Sequence, residues 1–291
     1  MSTPLEMHLD KRPELYFGDT ATRRFLFHYT GIDNTKNILT GKELWASKIQ
    51  YMNDYKEFIH AIEIVDRLCN EQARAHPDAK ELFDKIKTMT RDIEGLNIHI
   101  LSFSEEDDLL SQWRAYSLPH GFVLGFEFDK LKDVATENGF IIGKCIYDDA
   151  EKIQIIRRIL NIYREIFVSN PDILDDLSPG FYEEFYKWAA LFKHKAFREE
   201  KEWRMISAPT SNNHKNVDIR STQTMLIPYY KMKLDIFGKD NRGDIILPIE
   251  HVVIGPHPNS KLLSDGFSYL LSKYHIKCSA IRYSTCPYRL L

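Results

Sequence analysis

The sequence contains few of the residues that build disulfide scaffolds or metal ribbons. Its 291 residues include only four cysteines, and no two of them form a C-x-x-C pair: Cys69, Cys145, Cys278 and Cys286. Cysteines this sparse and this widely spaced argue against a disulfide framework or a zinc ribbon, and they favour a reducing compartment. The eleven histidines are scattered along the chain, so the sequence predicts no metal site.

Long apolar runs and a strong excess of one charge are also missing. No stretch approaches the roughly 18 apolar residues that would indicate a membrane span. The opening residues, MSTPLEMHLDKRPELYFGD, lack the apolar run of a signal peptide. The formal net charge of -3 and the pI near 6.4 argue against a broad electrostatic grip on nucleic acid, although a local basic groove stays open. We therefore expect a cytoplasmic protein without membrane contact.

The best-known catalytic and nucleotide-binding signatures are absent as well. The chain has no G-x-G-x-x-G after a strand, no phosphate-binding G-K-[ST] loop, no H-E-x-x-H and no G-x-S-x-G. What is present is an ordinary globular composition, with 43% hydrophobic and 28% charged residues. A chain of this length can bury a large core without covalent staples.

Apolar periodicity predicts helices and strands that are intermixed without strict alternation. Asp33 or Asn34 is expected to cap the first helix and Gly41 to end it. Trp113 and Tyr116, three apart in the short helix between two strands, are interpreted as core residues. Strands are predicted at residues 25–30, 44–47, 97–104, 121–128, 201–208, 224–232, 251–256 and 277–284. Helices are predicted at residues 57–76, 80–93, 107–117 and 261–273, with two more in residues 149–195, divided by a loop at 170–180.

This mixture indicates an α+β fold rather than a doubly wound parallel sheet. With no internal repeat and no low-complexity linker, we expect one domain over residues 1–291. It consists of an N-terminal extension (1–22), a β-rich core with helices (22–130 and 196–291) and a helical insertion (149–195).

The stretch FREEKEWRMI, residues 197–206, crowds acidic and basic side chains at the start of a predicted strand. Side chains alternate along a strand, so Glu200, Glu202 and Arg204 would share one face and Trp203 and Met205 the other. Two interpretations remain open. The polar face either carries a solvated ion pair between Glu202 and Arg204, or it points into a polar cleft.

Two further strands raise similar alternatives. His28 lies in the aromatic strand FLFHYT, where a lone histidine is either a hydrogen-bonded core residue or a ligand-binding group. Ser102 and Ser104 of LSFS project to one face, which is polar either by chance or because it lines a site.

Five stretches in this order resemble the bacterial domain-of-unknown-function family 2971. The opening block, with His28, Thr30, Asn34 or Asn37, Ile38, Leu39 and Gly41, also resembles the start of DarT-type nucleic-acid ADP-ribosyltransferases. With a late Glu-x-Glu strand, it is similar to the His-Tyr-Glu arrangement of that superfamily. The resemblance implies a split, bent antiparallel β core with helical insertions and NAD in the cleft between its halves. The five stretches are FHYTGIDNTKNILTGKELWASKIQYMNDYKEF, LSFSEEDDLLSQWRAYSLPHGFVLGFEFD, FREEKEWRMI, HVVIGPHP and STCPYRLL.

The resemblance also implies catalytic roles for two carboxylates and a binding role for the early strand. Glu202 would stabilise positive charge on the NAD ribose, and Glu200 would orient the acceptor. His28 would hydrogen-bond a ribose hydroxyl of the adenosine half, with support from Thr30.

The remaining candidates complete an NAD site. Tyr51 or Tyr29 would stack on nicotinamide, although Tyr29 should point away from His28 in a regular strand. Arg114 or Arg204 would meet the pyrophosphate, since guanidinium binds phosphate bidentately. The cleft would also be lined by Ser102 and Ser104.

The expected function is therefore NAD-consuming ADP-ribosyl transfer to a nucleic acid or a protein. With this activity, the protein is expected to act as a bacterial toxin or phage-defence effector. Its expected partner is an antitoxin or inhibitor. One alternative is a non-catalytic module that binds a nucleotide or a protein in the same cleft. Another is a metal-dependent nuclease, which the single tight carboxylate pair supports poorly.

Overall fold

A computed structural model of the chain describes residues 24–52, 55–91, 96–117 and 120–287. The predicted N-terminal extension at 1–22, the end of the predicted 80–93 helix and the last four residues of STCPYRLL lie outside the described residues. Across the described ranges, none of the helices combines the length and the apolar content that crossing a membrane requires.

Ten strands and eight α-helices make up the regular structure of the described residues. The strands are β1 (Phe25–Gly31), β2 (Glu43–Lys48), β3 (His99–Ser104), β4 (Gly121–Glu127), β5 (Phe140–Lys144), β6 (Glu202–Ser207), β7 (Val217–Ser221), β8 (Leu226–Lys233), β9 (Ile249–Ile254) and β10 (Ala280–Tyr283). The helices are α1 (Ile32–Gly41), α2 (Tyr55–Ala75), α3 (Lys80–Arg91), α4 (Leu110–Tyr116), α5 (Phe128–Glu137), α6 (Asp149–Ser169), α7 (Leu174–Ala189) and α8 (Ser260–Tyr274).

All ten strands join one open sheet, so the predicted α+β class is confirmed. The main path runs β10-β9-β4-β1-β3-β2-β8-β7, and β6 pairs with β3 and β5 beside it. Every pairing is antiparallel except the parallel one between β9 and β10.

The sheet splits at β3, and this split positions the candidate site. Strand β6 occupies one edge of β3 from Ile100 to Ser104. The other edge is shared, because β2 pairs with it at His99 and Ile100 whereas β1 pairs with it only at Ser104. A strand has two edges, so β1 and β2 must diverge along the middle of β3 and leave a gap there.

Two large apolar cores lie on the two faces of this sheet, and a third, smaller cluster packs around Trp113 on β1, β4 and β9. Helices α2, α3, α6 and α7 form the larger core with Ile100 and Ile206 of the sheet. Helices α5 and α8 contribute to the second core, which includes Trp203 and Met205. The predicted helical insertion at 149–195 therefore shares its apolar core with α2 and α3. Because β6 sends Ile206 to one core and Met205 to the other, its side chains alternate as the sequence predicts.

Several local predictions differ from the structure. Helix α1 begins after Gly31 with no side-chain cap, so neither Asp33 nor Asn34 caps it. Helix α7 begins at Leu174, inside the predicted 170–180 loop, and includes Pro179. Burial of Phe181 and Phe185 against the larger core offsets the cost of a proline inside the helix. Helix α5 and strands β5 and β7 are also present where the sequence analysis predicts no element.

The burial of His99 makes the stability of the fold depend on pH. The side chain is fully buried at the start of β3, with Nδ1 3.2 Å from the Thr210 hydroxyl and Nε2 without a partner in the described part of the chain. Burial, assisted by the nearby Lys48 and His214, lowers the pKa of His99 to about 4. The unfolded chain therefore binds the proton first as the pH falls below about 6.5, and the native state loses stability from there down to about pH 4.

We expect His99→Gln to weaken this dependence on pH. Between pH 7 and pH 5 the free energy of unfolding of the wild type should fall by about 2 kcal/mol more than that of the variant. Urea unfolding at both pH values measures the difference. His60→Gln, at an exposed position, is the matched control for the substitution itself. Equal slopes for wild type and His99→Gln would contradict the assignment.

Candidate functional site

The split in the sheet opens into a cleft of about 300 Å³, a volume within the range of small-molecule sites. Eight of the ten residues predicted to form a site line it: His28, Tyr29, Thr30, Tyr51, Ser102, Ser104, Glu200 and Glu202. Arg114 and Arg204 do not line the cleft. The structure therefore brings together residues that are far apart in the sequence.

His28 of β1 contacts the middle of β3 across the gap. Its Nδ1 lies 3.0 Å from the carbonyl oxygen of Ser102, which can only accept a hydrogen bond, so Nδ1 is the protonated nitrogen. Burial lowers the pKa of His28 and keeps the ring neutral at physiological pH. In this tautomer Nε2 is an acceptor, suited to a hydroxyl group of a ligand.

The tyrosines of the cleft have different surroundings. Tyr29 is buried, donates to the carbonyl of Glu106 (2.8 Å) and accepts from the amide of Leu109 (2.9 Å). These bonds fix the loop before α4 to β1. Tyr51 is 42% exposed, so its ring is available at the cleft. Tyr116 also lines the cleft and is 43% exposed, so its interpretation as core is wrong, whereas Trp113 is buried.

Helix α4 is tied to the C-terminal segment through Asp108. The Asp108 carboxylate accepts from Trp113 Nε1 (2.8 Å), the Ser284 hydroxyl (2.5 Å) and the Thr285 amide (2.7 Å). This network holds the helix that carries Tyr116 and the buried Gln112 to the cleft. The described part of STCPYRLL therefore supports one wall of the site.

Glu202 lies in a buried charge cluster at the start of β6. Arg204 donates to both of its carboxylate oxygens, from Nε to Oε1 at 2.9 Å and from Nη2 to Oε2 at 3.1 Å. Lys193 donates from Nζ to the same Oε2 at 2.5 Å. The side chains of Glu202 and Arg204 are 5% and 4% exposed. The interpretation of a solvated ion pair is therefore wrong, because the pair exists but is buried.

Glu200 reaches the cleft by a different route from the predicted one. It ends a 3-10 helix, Lys195–Glu200, and Lys201 follows in a left-handed conformation (φ 42°) before β6 begins at Glu202. Strand alternation therefore does not place Glu200 beside Glu202. Instead, Lys193 joins them, since it also donates to Glu200 Oε2 at 2.6 Å.

The cluster keeps Glu202 ionised. Burial alone would raise the pKa of this carboxyl, but Arg204 and Lys193 outweigh burial and lower the pKa to about 2. Glu202 is thus a fixed negative charge at the cleft wall and not a proton donor at neutral pH. Arg204 holds this carboxylate and also donates to the Ala190 carbonyl (2.7 Å), and these bonds turn its guanidinium away from the cleft.

Arg220 of β7 is the arginine that does line the cleft, and the sequence analysis did not select it. The only sequence signal is the alternation in VDIRS, where Asp218 and Arg220 share a face of an edge strand. Arg114, by contrast, is exposed on α4 away from the cleft lining.

Comparisons with known proteins find matches to parts of the chain. Residues 112–205 match the model of a family described as "Protein of unknown function (DUF2971)". A stretch of 71 residues, 23% of this chain, is 37% identical to a protein of Nostoc punctiforme and covers 76% of that protein. The Nostoc protein carries the provisional name pterin-4-alpha-carbinolamine dehydratase. No solved structure matches the chain significantly.

Proposed function

Because residues 112–205 match DUF2971, a description that assigns no activity, we propose a function from the cleft itself. The protein is an NAD-dependent ADP-ribosyltransferase with an ADP-ribosyltransferase type of split β core, and its acceptor is a nucleic acid or a protein. Its setting as a bacterial toxin or phage-defence effector, restrained by an antitoxin, stays a prediction from the resemblance.

One observation carries this proposal. A neutral histidine from β1 and an ionised glutamate from β6, 174 positions apart in sequence, line one cleft at the split of the sheet. Their chemistry is complementary, since His28 offers an acceptor for a hydroxyl and Glu202 offers fixed negative charge. A sugar with free hydroxyls and a developing positive charge uses both.

In this reaction the protein forms no covalent bond to the substrate. The bond between ribose C1′ and the nicotinamide nitrogen breaks, nicotinamide leaves with the electron pair, and the ribose gains oxocarbenium character. The acceptor then attacks C1′ and releases its proton to water. Glu202 stabilises the positive charge that develops, because a preorganised charge in a partly desolvated cleft acts most strongly on the transition state.

Adenylate-labelled NAD tests this proposal. We expect the wild type to release nicotinamide and to transfer label to DNA, RNA or protein of a cell lysate. Ser102 lines the cleft with a small side chain, so Ser102→Trp should fill it and reduce release at least about tenfold by excluding substrate. Ser268→Trp, on the exposed face of α8, is the matched control and should retain activity.

Other outcomes distinguish the remaining candidates. NAD that stabilises the wild type but not Ser102→Trp, with no nicotinamide release, would replace the transferase with a non-catalytic nucleotide-binding module. The partial likeness to the Nostoc protein supplies a competing ligand class, so a pterin is included in the same assay. Stabilisation by the pterin and none by NAD would overturn the proposal.

A further inference from the structure

Arg220 reaches the cleft from the outermost strand on its side of the sheet. Its side chain crosses β8, and Nη2 donates to the Ser47 hydroxyl of β2 at 3.1 Å. The guanidinium lines both the main cleft and a smaller adjoining pocket formed with α1 and Trp45. Trp45 in turn packs against Tyr229 with ring centroids 4.6 Å apart, which gives Arg220 an aromatic neighbourhood.

The positive charge of Arg220 has no acidic partner among the described residues. Within the described ranges its Nε is buried and makes no hydrogen bond, and Ser47 is the one polar contact of its five-donor group. Asp218, on the same face of β7, is paired with Lys231 instead. Burial lowers the pKa of Arg220, and no carboxylate raises it. A partly desolvated cation without a counter-charge is costly, so an anionic ligand would relieve that cost.

The surroundings of Arg220 suit phosphate oxygens. The adjoining pocket is lined by the amides of Asn34 and Asn37 and the hydroxyl of Thr30, all of which can donate hydrogen bonds. No carboxylate lines this pocket. Glu200 and Glu202 lie on the β3–β6 side of the cleft, whereas Arg220 lies on the β2–β8–β7 side. The cleft therefore has carboxylates that are paired with Lys193 and Arg204 on one side, and the guanidinium of Arg220 on the other.

We propose that Arg220, with the adjoining pocket of Thr30, Asn34 and Asn37, is a subsite for the diphosphate of a nucleotide. The planar guanidinium would bind phosphate oxygens bidentately through donors that the protein leaves unused. The choice of a nucleotide diphosphate rests on the proposed function, whereas the preference for a phosphate rests on the unpaired charge alone.

Binding of adenosine and of ADP to the wild type and to Arg220→Gln tests this subsite. We expect the wild type to bind ADP about 10- to 100-fold more tightly than adenosine, the range that hydrogen bonds to a charged group supply. Arg220→Gln should lose this advantage and retain the affinity for adenosine. Arg220→Lys keeps the positive charge but lacks the planar set of guanidinium donors, so it should retain part of the preference for ADP. Arg282→Gln, an exposed strand arginine paired with Asp107 outside the cleft, is the matched control.

The outcomes separate this inference from the proposed function. If NAD is not consumed but ADP keeps its Arg220-dependent advantage, the subsite stands without the transferase. Equal affinity of the wild type for ADP and adenosine, or an advantage that survives in a folded Arg220→Gln, overturns the subsite whatever the NAD assay shows. Arg220→Gln could instead weaken the binding of a short single-stranded oligonucleotide and leave the binding of ADP unchanged. That result would show that Arg220 binds a phosphodiester, and it would also overturn the subsite.

Discussion

Glu202→Gln is expected to reduce the rate of nicotinamide release from NAD by about a thousandfold, the effect of removing one preorganised electrostatic group. Glutamine preserves the shape of the side chain, but it removes the negative charge and replaces one of the two acceptor oxygens with a donor. The Michaelis constant for NAD should change little, because His28 and the rest of the cleft would still hold the adenosine half. Steady-state kinetics of nicotinamide release measure both parameters.

The same substitution also disturbs the buried charge cluster, so a loss of activity needs a control for stability. Glu202→Gln leaves Lys193 and Arg204 with Glu200 as the remaining acid of the cluster. Adding Lys193→Met removes one positive charge and restores the balance. We expect the double variant to regain most of the lost stability but none of the activity.

This pair of variants separates the two roles of the glutamate. An active double variant would show that the carboxylate acts only through the stability of the fold, and it would end the catalytic assignment. A single variant that retains wild-type kinetics would do the same. The double variant also compares residues in direct contact, for which the effects of single substitutions do not add.

Much of the fold and part of the site follow from local patterns in the sequence. The alternation of Trp203 and Met205 with Glu202 and Arg204 predicts which side chains of β6 share a face, since a strand has a period of two. The apolar and aromatic composition of residues 25–30 likewise predicts β1 and places His28 in it. These predictions depend only on neighbours along the chain.

The sequence does not reveal contacts between residues that are distant along the chain. Lys193 carries no sequence signal, because it acts through Glu200 and Glu202 after the chain has turned through the 3-10 helix. Arg204 has the chemistry to bind phosphate, but the fold uses it for Glu202. Arg220 meets the cleft only because β7 and β8 extend the sheet beyond β2. The burial of each charge, and not its spacing, decides which arginine is available.

Lys193→Met alone is expected to destabilise the protein by about 3–5 kcal/mol, the usual cost of breaking a buried ion pair. Its side chain is 1% exposed and its Nζ contacts the carboxylates of both Glu200 and Glu202. Without it, two carboxylates would share the single positive charge of Arg204 in a site with little water. Methionine has a similar length, so the loss would reflect charge more than packing.

Lys152→Met is the matched control for this prediction. Lys152 is as deeply buried, with its side chain 3% exposed, but its partner Asp149 is 57% exposed. Removal of Lys152 leaves a carboxylate that water can solvate, so we expect a cost of about 1 kcal/mol or less. A similar loss for both variants would attribute the effect to the lysine stems and contradict the argument from paired charges.

The dependence of stability on pH provides a second measure of how the cluster of Lys193, Glu202 and Arg204 contributes to stability. In the wild type the pKa of Glu202 is lowered to about 2, so its contribution to stability is present above about pH 4.5 and is lost as the pH falls toward 2. Lys193→Met removes one of the two cations that lower this pKa, so the contribution should be smaller and should disappear at a higher pH. Urea unfolding of wild type, Lys193→Met and Lys152→Met between pH 3 and pH 7 measures the shift. An acid transition at the same pH in wild type and Lys193→Met would show that Arg204 alone keeps Glu202 ionised.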